Sequence, residues 1–234
     1  MKKHTRRDFL KTSAGSAGLL AAAPSLLSAV EASRTVSFAG SDVVPLGKTG
    51  IKVSRLAQGT GFTGGRQSSA HTRLGQKAFS QLLHHSLDGG VTFMDMADLY
   101  GSHPSVLKAV KDVPRDQLTY LTKLWPRQAD WITPSGGAKR EVTRFLKELG
   151  TDRIDVCLIH CVINDQWPTE YARMLDELSQ LKESGEIGAV GVSAHDFGGL
   201  KVAAEHPWVD VIFARINHKG GREYSCDASA PEVA

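Results

Sequence analysis

Six short apolar segments alternate with helical segments along most of the chain, and this alternation limits the possible folds more than any other feature of the sequence. Each apolar segment is an almost continuous hydrophobic run, and several of the helical segments end at a glycine, as at Gly150 and Gly185. Strands that are apolar on both faces and separated by helices are typical of a parallel sheet covered by helices. The predicted strands span residues 56–58, 91–94, 117–122, 154–159, 188–192 and 209–214.

The regular spacing of these units favours a (β/α) barrel over an open sheet, because no large gap interrupts the repeat. The predicted helices span residues 77–87, 105–110, 140–149, 171–184 and 200–205. A closed barrel of this class needs about eight units, and we count about six. We therefore expect an α/β barrel domain over residues 33–234 that is incomplete at its C-terminal end, with closure by a second copy as the alternative.

The second predicted strand leads into two acids, a tyrosine and a glycine, in the segment 93–101. Its pattern Asp95-x-Ala97-x-x-Tyr100-Gly101 resembles the signature of the aldo-keto reductases. The resemblance implies a (β/α)8 TIM barrel of that type and a catalytic tetrad completed by a lysine and a histidine at the ends of later strands.

Lysine and histidine occur at the expected places, since Lys123 ends the third predicted strand and His160 ends the fourth. The carboxyl ends of parallel barrel strands open on one face, so these residues should meet Asp95 and Tyr100 there. Singly, each has an ordinary structural explanation: a solvated lysine, a locally bonded histidine, an acid that caps a turn. The occurrence of all four in family order favours the catalytic interpretation.

The resemblance also implies the role of each residue in reducing a small-molecule carbonyl substrate. Hydride addition builds negative charge on the carbonyl oxygen, and Tyr100 would act as the general acid that protonates it, or as the base in the reverse direction. A phenol with a pKa of about 10 is a weak acid, so Lys123 is expected to lower that pKa. Asp95 would hold Lys123, and His160 would orient the carbonyl oxygen.

The cofactor implied by the resemblance is a nicotinamide nucleotide, with NADP(H) favoured over NAD(H). The residues expected to bind it are Thr60, Gly61, Asp95, Ser193 and Asn217. The sequence departs from the family at three neighbouring positions: Ala194 stands in place of the usual Asn, Phe213 in place of Gln, and Ile216 in place of Tyr.

The glycines at positions 59, 61 and 64 formally match the Gly-x-Gly-x-x-Gly dinucleotide fingerprint. That motif requires a helix to begin at once, so that its N-terminus faces the pyrophosphate. Here the helical pattern begins only near Leu74, which favours a loop after the first barrel strand instead.

The first 32 residues resemble a twin-arginine signal peptide. Arg6 and Arg7 are followed by Asp-Phe-Leu-Lys and then by a soft apolar run over residues 14–29. That run falls short of the roughly 20 apolar residues of a spanning helix, so no stable membrane anchor is expected in the mature form. The pattern predicts export to the periplasm by the twin-arginine machinery; a frayed basic terminus is the alternative.

Charge and cysteine content exclude several other classes of protein. The chain has a net charge of +3, but residues 33–234 hold 23 Lys/Arg and 23 Asp/Glu, so no nucleic-acid partner is expected. Three cysteines are too few for a disulfide framework. Among the histidines, only His160 and His195 lie at predicted strand ends, so no metal site is predicted. The competing hypothesis is a nucleotide-binding or sensor module without turnover, or an inactive fragment of a reductase.

Overall fold

The computed structural model describes residues 37–133 and 136–216 of the chain. Its main feature is a curled parallel sheet of six strands, in which spatial order follows chain order from β3 to β8. A two-stranded antiparallel hairpin, β1–β2, precedes it. The strands are β1 (Val43–Pro45), β2 (Lys52–Ser54), β3 (Ala57–Gly59), β4 (Phe93–Asp95), β5 (Thr119–Leu124), β6 (Ile154–Val162), β7 (Ile187–Ala194) and β8 (Val211–Ala214).

Helices connect the successive strands of the sheet, as the sequence predicted. They are α1 (Gln76–Asp88), α2 (His103–Val110), α3 (Ala138–Leu149), α4 (Trp167–Glu170), α5 (Ala172–Glu183) and α6 (Phe197–Glu205). Short 3-10 turns lie at Thr72–Leu74, Asp98–Tyr100 and Arg115–Gln117. The predicted α/β half-barrel with six parallel strands is therefore confirmed. The predicted signal peptide, residues 1–32, and Asn217 lie outside the described residues.

The sheet is buried on both faces, which explains why its strands are continuous apolar runs. Alternate residues point to opposite faces, so Cys157 and Ile159 pack in the layer beneath the helices while Val156 and Leu158 pack on the other face. On that second face the hairpin supplies Val53 to the same cluster. The hairpin thus covers the inner core of the half-barrel.

Most element boundaries lie within two residues of the prediction, and the two that differ by three residues do so for local reasons. Helix α6 was expected at residues 200–205 but begins at Phe197, because the Asp196 carboxylate caps it by accepting a hydrogen bond from the Gly199 N–H. Strand β6 was expected to end at residue 159 but continues to Val162, with a shift in its pairing to β7. No helix among the described residues is long and apolar enough to cross a membrane.

Candidate active site

The carboxyl ends of β4 to β7 bring the predicted site residues to one edge of the sheet. Asp95 ends β4, Lys123 is the penultimate residue of β5, and His160 lies near the end of β6. The strands pair in parallel register, with Asp95 opposite Leu121 and Lys123 opposite Leu158, so these ends lie side by side. Ser193 lies at the corresponding end of β7.

Lys123 and Asp95 form the ion pair that the sequence predicted. The Lys123 ammonium donates to Asp95 Oδ1 and, at 2.9 Å, to the Met96 carbonyl oxygen. The Lys123 side chain is 4% exposed and that of Asp95 is 25% exposed, so the pair lies at the boundary between core and solvent. Lys123 is thereby fixed with its Nζ 5.1 Å from the centre of the Tyr100 ring.

Tyr100 is carried by a 3-10 turn, Asp98–Tyr100, that directly follows β4. Its ring meets the His160 ring edge to face, with 5.6 Å between the ring centres. The loop after β3 also packs against the Tyr100 ring: a Cβ placed on Gly61 would lie 2.3 Å from a Tyr100 ring carbon. The glycine at this position is therefore explained by close approach to Tyr100, and no dinucleotide fingerprint is needed.

Burial raises the pKa of the Tyr100 phenol above its usual value, and electrostatic interactions with Asp95 and Cys161 raise it further. For the chain on its own, the net pKa of Tyr100 is therefore raised and not lowered as expected from Lys123. The reason is that the ammonium charge of Lys123 is balanced by Asp95, which stands beside it. Tyr100 is consequently a protonated phenol at neutral pH, the form that can donate a proton.

His160 is buried between two aromatic rings, those of Tyr100 and Trp125, the latter at 5.8 Å. Burial lowers the pKa of its imidazole well below the usual value, and the positive charge of Lys123 lowers it further. The imidazole is therefore neutral at pH 7. Its Nδ1 has no hydrogen-bond partner among the described residues. Buried polar atoms are rarely left unpaired, so His160 holds spare hydrogen-bonding capacity at the site.

The predicted cofactor residues differ in whether their hydrogen-bonding groups are already used within the protein. Thr60 is fully buried, and both its hydroxyl and its N–H are bound to the Asp95 carbonyl oxygen, with the hydroxyl also 2.9 Å from Ser102 Oγ. Ser193 Oγ accepts the Cys161 N–H at 3.0 Å, which leaves the hydroxyl proton of Ser193 able to reach an acceptor. Thr60 thus braces Asp95, whereas Ser193 can bind a carboxamide.

The residues expected to hold the nicotinamide fit it only in part. The two neighbouring positions that are polar in the family are apolar here: Ala194 is buried, and the Phe213 ring lies 5.4 Å from Lys123 Nζ. Among the described residues of β7 and β8, Ser193 is the polar side chain suited to a carboxamide, and Asn217 lies outside the described residues.

A second buried polar cluster, missed by the sequence analysis, lies beside the site. We call it the Asp98 network; its ionisable members are His103, Asp98, Glu141, Arg144 and Glu148. Arg144 donates to all three of the carboxylates, and His103 links Glu148 to the Thr122 hydroxyl at 2.8 and 2.7 Å.

The Asp98 network holds the turn that carries Tyr100. Asp98 is the first residue of that turn, and it also accepts the Trp131 indole N–H at 3.1 Å and the Gln67 amide at 3.3 Å. Burial raises the pKa of Asp98, although the guanidinium of Arg144 acts in the opposite direction. These partners lie 31 to 46 residues from Asp98 in the sequence, so no local pattern could have identified them.

Two tryptophans, Trp125 directly after β5 and Trp167 at the start of α4, have different roles. Trp167 is fully buried, and its indole N–H donates to the Gly199 carbonyl oxygen, so it anchors the connection after β6. Trp125 contacts His160 and stacks beneath the Arg127 guanidinium at 4.2 Å. Of the two, Trp125 is the one placed to wall a substrate pocket.

Comparison with known proteins places this arrangement in context. Residues 55–220 match the family model described as the aldo/keto reductase family. The NADH-specific methylglyoxal reductase of Escherichia coli is 26% identical over 191 residues, which is 74% of this chain and 58% of the relative. Aldo-keto reductase YhdN of Bacillus subtilis is 32% identical over 159 residues, or 62% of this chain and 44% of the relative.

A solved structure of an aldo-keto reductase from Pseudomonas aeruginosa superposes with a TM-score of 0.60 and 28% identity, covering 72% of this chain and 66% of that one. The chain thus spans about half the length of the two relatives named above. The family match begins at Arg55, just before β3, and covers all six strands of the parallel sheet.

Proposed function

Because the chain belongs to the aldo/keto reductase family, whose membership implies an oxidoreductase acting on carbonyls, we propose that it reduces an aldehyde or ketone with NAD(P)H. The reverse oxidation of the alcohol would use the same residues. The observation that carries the proposal is the meeting of Asp95, Tyr100, Lys123 and His160 at one edge of the sheet.

Each of these four residues has a chemical task that its position supports. Bound nicotinamide would supply the hydride. Tyr100, protonated at neutral pH, donates its phenolic proton to the carbonyl oxygen as the bond to carbon forms. His160, neutral and with an unpaired nitrogen, orients the carbonyl oxygen. Lys123, held by Asp95, stabilises the phenolate that Tyr100 becomes until solvent returns its proton.

For the cofactor we propose NADP(H) in preference to NAD(H), with Ser193 and Asn217 at the nicotinamide and Thr60, Gly61 and Asp95 beside it. One relative is described as NADH-specific, so both nucleotides belong in the test. Titration of the full chain with NADPH and with NADH, followed by tryptophan fluorescence, measures the two dissociation constants directly. Tighter binding of NADH would contradict the stated preference.

A second candidate function is nucleotide binding without turnover. Ala194 and Phe213 favour it, because they remove two polar side chains from the position where the family holds the carboxamide. A loosely held nicotinamide ring would lose the alignment on which hydride transfer depends.

The decisive assay is the consumption of NADPH or NADH by the full chain in the presence of methylglyoxal or a simple aldehyde. Tyr100→Phe should lower the rate by about 10² to 10⁴-fold, the usual contribution of a general acid. Tyr120→Phe is the matched control, since Tyr120 is buried against Arg115 near the amino end of β5, away from the carboxyl ends that carry the site. Nucleotide binding with no consumption would favour the non-catalytic alternative; equal rates for both variants would exclude Tyr100 as the acid.

We also propose that residues 1–32 direct export to the periplasm through the twin-arginine machinery, leaving no membrane anchor. Replacing Arg6 and Arg7 together by lysine keeps the charge but removes the paired arginines. In a bacterial host with this pathway, the variant should stay in the cytoplasm at precursor length. The control exchanges Lys2 and Lys3 for arginine, and export of both variants alike would contradict the proposal.

A further inference from the structure

Three potential metal ligands meet at the ends of β6 and β7, and only one of them belongs to the proposed catalytic set. His160 and Cys161 lie next to each other near the end of β6, and His195 directly follows β7. One ligand atom from each side chain lies within 4.8 Å of the other two. The parallel pairing of the two strands produces this cluster, because it sets their carboxyl ends side by side.

The backbone conformation at Cys161 differs from that of an ordinary β-strand. Its φ of 59° lies in the left-handed region, which a side chain other than glycine rarely adopts. The pairing of β6 with β7 shifts register between Ile159 and Val162, so Cys161 sits in a bulge. Bulges at strand ends change the direction in which a side chain points. Here the bulge lets His160 and Cys161, consecutive residues of one strand, reach the same site.

The peptide of Cys161 is also held on both sides. Its N–H donates to Ser193 Oγ at 3.0 Å, and its carbonyl oxygen accepts from Arg127 at 3.1 Å. A strained backbone persists only where its surroundings fix it, and such positions cluster at functional sites. The thiol is therefore presented by a rigid peptide, as a binding site requires.

An independent observation points to a ligand at this place. His160 is 3% exposed, and its Nδ1 has no hydrogen-bond partner among the described residues. A buried imidazole nitrogen without a partner can be satisfied by an incoming ligand. A ring nitrogen of the same imidazole lies within 4.8 Å of a thiol and of a second imidazole nitrogen.

The donor set matches one class of ligand. Imidazole nitrogen and thiolate sulfur are the ligands that Zn²⁺ prefers, and three protein ligands leave its fourth position open for a solvent molecule. With bonds of about 2.0–2.3 Å, ligand atoms around a tetrahedral zinc ion lie roughly 3.5 Å apart. Closing from 4.8 Å to that separation requires only small side-chain movements.

We propose that His160, Cys161 and His195 form a binding site for Zn²⁺ or a similar late transition-metal dication. The positive charges of Lys123 and Arg127 act on His160 and oppose the binding of a dication, although Lys123 is paired with Asp95. Cys161 releases its proton on binding and so contributes a negative charge.

A metal ion bound there would occupy His160, the residue proposed to orient the carbonyl oxygen. It would therefore inhibit turnover. This consequence rests on the proposed reductase function, whereas the metal site itself does not.

The site is tested on the full chain carrying Cys226→Ser, so that the remaining thiols are those of β6. Equilibrium dialysis against Zn²⁺ should show one ion per chain, and Co²⁺ in its place should show a thiolate charge-transfer band. Outer-shell residues of metal sites contribute about 10 to 100-fold to affinity, so Cys161→Ala or His195→Ala should raise the dissociation constant at least 100-fold.

The matched control is Cys157→Ala, which removes a thiol of the same strand. Burial raises the pKa of Cys157 to about 12, and this thiol packs in the layer beneath the helices, so metal binding should be unchanged. Circular dichroism verifies that each variant is folded. Equal affinity of the parent and Cys161→Ala, or a cobalt complex without a thiolate band, would overturn the proposal.

Inhibition is measured separately from binding. If the parent consumes NAD(P)H, Zn²⁺ should stop it, and Cys161→Ala should resist at the same concentration. Inhibition of both proteins at equal Zn²⁺ would show that the metal acts elsewhere. If the parent has no turnover, the reductase proposal fails, while the dialysis and cobalt spectra still decide the metal site.

Discussion

The proposed catalytic tetrad (Asp95, Tyr100, Lys123 and His160) and the Asp98 network are two largely buried polar clusters beside the same turn, but they differ in how completely their hydrogen bonds are formed. In the network each carboxylate oxygen has a donor: Asp98 from Arg144, Gln67 and Trp131, Glu141 from Arg144 and the Thr133 N–H, and Glu148 from Arg144 and His103. In the tetrad, His160 Nδ1 has no partner among the described residues.

This difference in hydrogen bonding distinguishes groups that stabilise the fold from groups that remain able to bind a ligand. An unpaired buried polar group costs roughly 1–3 kcal/mol, so a protein keeps one only where something else compensates for it. The saturated network stabilises the turn that carries Tyr100. The unsaturated tetrad retains hydrogen-bonding capacity at His160 Nδ1. Burial and charge alone would not distinguish the two clusters, since each contains an ion pair in which one partner is buried and the other is about one-quarter exposed.

The largest effect on stability is expected from breaking the saturated cluster with Arg144→Met. The carboxylates of Asp98 and Glu141 are almost fully buried, and removing one partner of a buried ion pair costs about 3–5 kcal/mol. Urea unfolding measures the loss. The matched control is Arg173→Met, whose ion pair with Glu177 involves an arginine that is 72% exposed, and which should cost less than about 1 kcal/mol.

The loss of stability caused by Arg144→Met should also depend on pH. Burial raises the pKa of Asp98, and Arg144 is the main group that opposes this, so the variant raises that pKa further. When the pKa of a carboxyl is raised in the folded state, the free energy of unfolding falls as the pH rises through that pKa and recovers as the pH falls. The difference in unfolding free energy between parent and variant should therefore become smaller on acidification. A difference that does not change with pH would contradict this explanation.

Lys123→Met makes a similar change in the unsaturated cluster, with a smaller effect on folding. Asp95 is 25% exposed, so water can solvate the carboxylate left behind, and we expect a loss of about 1–3 kcal/mol. Turnover should fall by at least about 100-fold, because Tyr100 loses the cation that stabilises its phenolate. A larger stability loss than for Arg144→Met would show that the two clusters do not differ as described.

The smallest effect is expected at the edge of the network, from Glu148→Gln. Burial alone would raise the pKa of Glu148, but hydrogen bonds from His103 and Arg144 outweigh it and hold that pKa below 4.5. A carboxyl whose pKa is lowered in the folded state stabilises the fold above pH 4.5. This stabilisation is lost as the pH falls through the pKa of the folded state. The variant should be about 1 kcal/mol less stable than the parent at pH 7 and equal to it in acid.

The control for this pH dependence is Glu183→Gln, which replaces an exposed acid at the end of α5. It should leave the unfolding free energy within about 0.5 kcal/mol of the parent throughout. If Glu148→Gln behaves in the same way, the hydrogen bonds to Glu148 do not stabilise the fold.

The sheet and the meeting of the tetrad could be predicted because both depend on local sequence. Each strand is an apolar run, and each predicted site residue stands where such a run ends, so parallel pairing alone brings Asp95, Lys123 and His160 together. The state of Tyr100 could not be predicted, because its pKa depends on burial and on how far Asp95 balances Lys123.

Features that depend on distant partners were beyond the reach of sequence patterns. Asp98 and Arg144 are 46 residues apart, and no periodicity relates them. The bulge at Cys161 has no glycine to mark it, so the end of β6 was placed too early. Phe197 was missed as a helix start because Gly198 and Gly199 resemble a loop, whereas the cap by Asp196 offsets their low helix propensity.

The most direct test of the central claim is the transfer of deuterium from nicotinamide to substrate. The full chain is incubated with methylglyoxal and with NADPH or NADH deuterated at C4 of the ring, in each stereochemical form, and the product is analysed by mass spectrometry. The reductase mechanism predicts one deuterium on the new carbinol carbon from one of the two forms only, and loss of that label with Tyr100→Phe. Bound nucleotide with no deuterated alcohol would contradict it and identify the half-barrel as a binding module.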